Sequence, residues 1–167
     1  SNSHYSSTSG LHPYEGQTTP NPDKGYSWLK APRYDGQPME VGPLARIMVA
    51  YMTPGYEWVK KEVDEVLAAA KLTPDKLNSV LGRHLARGLE AKWLVKQLNA
   101  WLDELEIGKP MAKEFTIPQT GKGFGLVEAE RGALGHWLTI ENYKVKNYQC
   151  VVPTTWNCSA RDDGNKP

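Results

Sequence analysis

From Pro43 onward the apolar positions recur at a helical period. Leu44, Ile47, Met48 and Tyr51 form one stripe, with Pro43 suited to a first turn and Thr53-Pro54-Gly55 to a stop. A second stripe of Val59, Val63, Val66, Leu67 and Ala70 predicts a helix from about Tyr56 to Lys71. Thr73, backed by Pro74, is a candidate N-cap for a third helix through Leu77, Val80, Leu81 and His84. A long fourth helix, roughly Leu85–Glu106, carries Leu89, Leu94, Leu98, Trp101, Leu102 and Leu105. Gly88 weakens the join, which leaves open whether the third and fourth run together or kink. Gly108-Lys109-Pro110 closes the helical part. Plain packing accounts for these apolar stripes. The charged run Lys60–Glu65 reads as a solvated face, and Arg46 as one half of a surface ion pair.

After Phe115 the period changes to that of strands. Phe124–Gly132 is a candidate strand, and Leu134–Glu141 with Lys144–Val152 reads as a hairpin joined through Asn142-Tyr143. Val151 and Val152 then meet Pro153, which cannot donate to a ladder. Thr154 and Thr155 follow as hydroxyls at a strand end. At the other end, residues 1–27 are dominated by Ser, Thr, Gly, Pro and Asn with no period of either kind. Such a segment is disordered alone and, if ordered, wraps over something else. The expected class is α+β: about four helices, then a small antiparallel β portion. The expected divisions are an extended lead (1–27), a helical segment (28–112) and a β-rich segment (113–167), none of them autonomous.

Composition narrows the function classes. A net charge of +1 argues against a nucleic-acid partner or a polybasic membrane role. No apolar run approaches the ~18–20 residues of a membrane span, and no signal-like segment opens the chain. The cysteines, Cys150 and Cys158, are too few for a disulfide framework. Six tryptophans and eight tyrosines predict buried aromatic layers or a large partner surface. His4 and His12 lack a second ligand at metal spacing and read as packing or surface residues, as does His136. Gly123–Gly125 is no dinucleotide fingerprint, since the third glycine and the strand-then-helix setting are missing.

The candidate chemistry lies in Gly123–Arg161. Arg131 sits among Ala129, Gly132, Ala133 and Leu134, and a cation in such surroundings needs an acceptor, because an unpaired buried charge costs several kcal/mol. Taken from the residues alone, a salt bridge with Glu128 is the simpler account of Arg131. A strand-end cap is the simpler account of Thr154, and a small buried apolar side chain that of Cys150.

Longer words in the sequence point further. E-A-x-R-G-A-L-G-H-W (from Glu128), N-Y-Q-C-V-V-P-T-T-W-N (from Asn147), K-A-P-R-Y-x-G-x-P-M-E-V-G-P-L-A-R (Lys30–Arg46) and Gly10-Leu11-His12-Pro13-Tyr14 resemble, in the same order, the C-terminal half of the large subunit of nickel–iron hydrogenases. The resemblance implies a surround for a nickel–iron cluster whose iron carries cyanide and carbon monoxide. In it Arg131 matches the arginine over the open coordination position, and Thr154 the hydroxyl donating to a cyanide. Ala129, Leu134, Val152 and Pro153 match the apolar walls around the carbon monoxide. Cys150 matches the residue whose backbone carbonyl ligates a magnesium ion. It also implies an uptake-type enzyme cleaving dihydrogen (H2) reversibly and heterolytically, an iron–sulfur small subunit as partner, and a membrane-associated, periplasmic-side location.

The sequence departs from the family pattern in several ways, among them the absence of the acidic proton-transfer residue and of the terminal histidine that the pattern includes. Neither C-x-x-C pair that holds nickel and iron occurs in these residues, so thiolate ligands would have to come from companion polypeptides. Glu130 stands where the family usually has proline, directly before Arg131, and is a candidate modulator of it. Ala160 likewise replaces a proline. The favoured expectation is therefore a piece of a hydrogenase large subunit, from a split gene or a longer chain. The alternatives are a non-catalytic scaffold of the same ancestry that holds no metal, and a plain protein-binding module.

Overall fold

The computed structural model describes residues 3–5, 12–14 and 18–161. Two compact units result, Pro43–Phe115 and a discontinuous one made of Ser1–Gly42 with Thr116–Pro167.

The helical unit holds α1 (Pro43–Met52), α2 (Glu57–Ala70), a 3-10 turn (Pro74–Leu77) and α3 (Val80–Asp103). The predicted stripes face one another: Leu44 and Ile47 of α1, Val59, Val63 and Leu67 of α2, and Ala86 and Leu89 of α3 form a buried cluster around Leu77. Polar bonds tie the helices at the rim of that cluster. Tyr51 Oη donates to Asp64 Oδ1 at 2.7 Å, and Arg46 grips both carboxylate oxygens of Glu90 at 2.6 and 2.8 Å.

The predicted third and fourth helices run together into α3. Gly88 costs about 1 kcal/mol relative to alanine, too little to break a helix so well anchored at its start. Thr73 does not cap it. Its hydroxyl turns to the Asp75 carboxylate, and the 3-10 turn follows instead. The cap is Ser79, whose Oγ accepts from Gly82 N at 3.1 Å and donates to Lys76 O at 2.8 Å. Gly82 is required there, since a Cβ would lie 2.0 Å from the Leu77 carbonyl oxygen.

The other unit holds a three-stranded antiparallel sheet, β1 (Gly121–Ala129), β2 (Gly132–Glu141) and β3 (Lys144–Val151), in that order, followed by the short helix α4 (Pro153–Asn157). The β2–β3 hairpin turns at Asn142 and Tyr143, as predicted, with φ of 51° and 60° respectively. Both values are what a type I′ turn requires. Two details differ from the expectation. The first strand stops at Ala129 rather than Gly132, with Glu130 and Arg131 forming a tight turn and Ala129 pairing with Gly132. Pro153 does not merely end a strand but opens α4, because its fixed φ and missing N–H suit a first helical position.

The described part of the lead residues is built into this second unit. Ser3 bridges to Ser27, His4 N donates to Ser27 O at 2.8 Å, and Asn147 Nδ2 donates to Pro13 O at 3.1 Å. His4 is buried, with Nδ1 3.1 Å from Asn21 O and its ring 4.2 Å from that of Trp28, so it is a packing residue. Gly10 and Leu11 of the lead-in motif lie outside the described residues.

Candidate functional site

Arg131 occupies the apex of the β1–β2 turn, and its side chain is 75% exposed. The expectation of an enclosed cation therefore gives way, because a residue at the tip of a two-residue turn projects beyond the sheet. Its bonded carboxylate is Glu130, not Glu128: Nη1 donates to Glu130 Oε1 at 2.8 Å. Consecutive residues of a turn meet without any cost in loop closure. Both side chains are equally open, and an exposed pair of this kind contributes only about 0–1 kcal/mol.

The remaining candidates lie on adjoining elements of the same unit. Ala129 ends β1 and Leu134 lies near the start of β2, both half-buried, with Leu134 opposite Val127. Cys150 is half-buried on β3 opposite His136, and its thiol is free, as is that of Cys158. Val152 leads into α4, Pro153 is buried at its start, and Thr154 is exposed on its first turn. The buried hydroxyl is the next one, Thr155, which is 7% exposed. Helix α4 lies against β2.

What joins the turn to α4 is a segment the apolar pattern did not mark. Asn157 forms a reciprocal pair with the backbone of Val41: Val41 N donates to Asn157 Oδ1 at 2.8 Å, and Asn157 Nδ2 donates to Val41 O at 2.9 Å. On its other side this segment runs against the turn. A Cβ on Gly132 would lie 2.6 Å from both Gly42 N and Val41 Cγ2, and a Cβ on Gly42 would lie 2.9 Å from Arg131 O. Arg33 holds the stretch after α4, donating to Ser159 Oγ at 3.1 Å and to Ala160 O at 3.0 Å. The available signal was thin: glycines flanking Pro43 and Arg131, and an asparagine with no helical or strand rhythm around it.

Among the described residues no group of three or more His, Cys, Asp and Glu side chains could hold a metal ion. The donor set therefore does not suit a ligand shell for a soft metal, which calls for clustered thiolates. What the candidates offer is a cation, a hydroxyl and apolar neighbours. The open groove lined by Trp58, Glu62, Glu90 and Trp93 belongs to the helical unit and contains none of the candidate residues. Glu62 there accepts from Lys92 Nζ at 2.7 Å and from Trp93 Nε1 at 2.8 Å, so that part of the Lys60–Glu65 run is engaged rather than simply solvated. Those donors, Lys92 first, hold its carboxyl down to about 2.

The family model for nickel-dependent hydrogenases matches residues 1–167. The hydrogenase-1 large chain of Citrobacter freundii is 41% identical over 92% of this chain and 30% of its own length. The uptake hydrogenase large subunit of Bradyrhizobium diazoefficiens is 42% identical over 93% of this chain and 30% of its own. The solved Ni-Fe-Se hydrogenase from D. vulgaris Hildenborough in the reduced state superposes with a TM-score of 0.83 at 36% identity, covering 99% of this chain and 36% of that one. The chain thus spans about 30% of the length of the curated relatives it matches.

Proposed function

From the premise that this chain belongs to the nickel-dependent hydrogenase family, we propose that it supplies the arginine-bearing surround of a nickel–iron site for reversible, uptake-type cleavage of dihydrogen. The observation that carries this reading is the convergence of the Arg131 turn and the Thr154 helix on one small β unit, beside apolar Ala129, Leu134, Val152 and Pro153. The centre, when bound, supplies the metal chemistry of H2 cleavage. Thiolate ligands come from the remaining part of the large subunit with its C-x-x-C pairs. An iron–sulfur small subunit would be the partner that takes up the electrons.

This chain's own residues do the rest. The guanidinium of Arg131 offers a planar cation with several N–H donors, and so steadies a bound anion beside it. Thr154 offers a hydroxyl donor from the exposed first turn of α4. Ala129, Leu134, Val152 and Pro153, half-buried or buried, give the surround its apolar side next to these two exposed polar groups. The backbone carbonyl of Cys150 would be a ligand for a magnesium ion. A membrane-associated, periplasmic-side location is proposed from the resemblance of the motifs alone.

The 2.8 Å Glu130–Arg131 pair favours a second reading, a scaffold of hydrogenase ancestry in which the arginine is neutralised and no metal is held. Native mass spectrometry with metal analysis on the complex formed with C-x-x-C-bearing companions separates the two. Nickel and iron bound in that complex support the hydrogenase reading. A stable complex containing this chain and no nickel overturns it.

A further inference from the structure

We propose that Asn157 is a positioning residue that sets where the Arg131 turn stands relative to Thr154, acting through the backbone of Val41 and Gly42. The inference deepens the proposed function and rests on it. Its basis is an unbroken chain of close contacts within one unit. Asn157 lies on α4, in the turn after Thr154, and its carboxamide satisfies both the N–H and the carbonyl of Val41, at 2.8 and 2.9 Å. A reciprocal pair of this kind fixes the plane of the carboxamide against the backbone it grips, because rotating it breaks both bonds.

The next residue, Gly42, is buried, with φ of +124°, and lies so close to Arg131 that an added Cβ would stand 2.9 Å from its carbonyl oxygen. From the other side Gly132, with φ of +132°, leaves no room for a Cβ against Gly42 N and Val41 Cγ2, each 2.6 Å away. Both conformations belong to the region that side chains disfavour, so both glycines are demanded by conformation as well as by space. The Val41–Gly42 backbone is thus a shim. One face is gripped by α4 and the other is pressed against the turn that carries the guanidinium. Arginine chemistry depends on placement: a shift of about 1 Å at a reacting centre can cost on the order of a hundredfold in rate. A surface asparagine on a short helix gains in this way a grip on the cation.

The test uses the assembled enzyme, this chain with its companion large-subunit part and small subunit. Asn157→Ala, Arg131→Ala and the double variant are compared for H2 turnover, and amide hydrogen exchange is followed at residues 41–42 and 130–132. The expected result is that Asn157→Ala speeds exchange at both segments by about tenfold, as the loss of the two bonds implies. Exchange in α2 should not change. Turnover should fall several-fold in the Arg131 background but not further when Arg131 is already alanine. Asn157→Asp keeps the acceptor for Val41 N–H and guards against a folding failure; it should protect residues 41–42 better than alanine does. If Arg131→Ala impairs turnover while Asn157→Ala leaves exchange at 130–132 unchanged, or adds its full effect in the double variant, the positioning role is overturned and the proposed function stands. If Arg131→Ala itself leaves turnover intact, the proposed function falls and the positioning role with it.

Discussion

The two units are held together in different ways. The helical unit buries Leu44, Ile47, Val63, Leu67 and their neighbours in a core drawn from every one of its helices. In the β unit the buried residues among those described include Pro153 and Ala160, together with Ser3, His4 and Thr155. Its sheet leaves Phe124, Leu126 and Val127 of β1 exposed, and Val145 and Tyr148 of β3 with them. Hydrogen bonds and close backbone contact hold it in place of an apolar core. The contrast teaches that two units of one chain can be held by different means, although the helical unit too leaves Leu94, Leu98 and Leu102 of α3 exposed.

The comparison breaks first on core truncation. In this chain Leu67→Ala is expected to cost about 3 kcal/mol and Leu126→Ala less than about 0.5 kcal/mol, read from urea unfolding. Equal costs would mean that the sheet has a covered face after all. Next in size, Gly132→Ala should destabilise the β unit by about 2 kcal/mol, since the new methyl group meets backbone that cannot move aside. Hydrogen exchange would report this as loosening around residues 41–42 with α2 unchanged.

A smaller effect of opposite sign is expected at Tyr143. Its φ of 60° is unfavourable for a side chain, so Tyr143→Gly should stabilise the hairpin by about 0.5–1 kcal/mol, visible as a higher midpoint. The smallest effect concerns pH. Glu62 is held at about 2 rather than 4.5, so its contribution is complete above 4.5 and is lost as pH falls through 2. Glu62→Gln should flatten that part of the stability profile, and an unchanged profile would remove Glu62 from the account.

The helical unit was legible because its residues obey local rules. The stripes through Leu44, Val63 and Leu89 needed only a period, and the Asn142-Tyr143 hairpin only two strands and a turn. The start of α3 was misplaced because Thr73 and Ser79 are both residue types that cap helices, and only Ser79 makes the bond, accepting from Gly82 N. The candidate site residues came from long words containing Arg131 and Thr154, and those words say nothing of their geometry. Nothing near Arg131 announces that it stands exposed at a turn apex, although Glu130, the candidate modulator directly before it, is the carboxylate it pairs with. Asn157 and Val41 are joined across more than a hundred positions, a distance no periodicity spans.

The discontinuous unit also imposes an order of events during synthesis. Gly42 has emerged from the ribosome long before Gly132 exists, with all of Pro43–Phe115 made in between. At about 5–20 residues per second that delay is on the order of ten seconds. Over the same interval the helices, whose contacts are nearer in sequence, have time to settle. The lead and the Val41–Gly42 backbone must wait, unshielded, for a turn and an asparagine not yet translated. A chaperone that recognises the nascent chain in that interval would find the Lys30–Gly42 stretch open and the helical unit already closed.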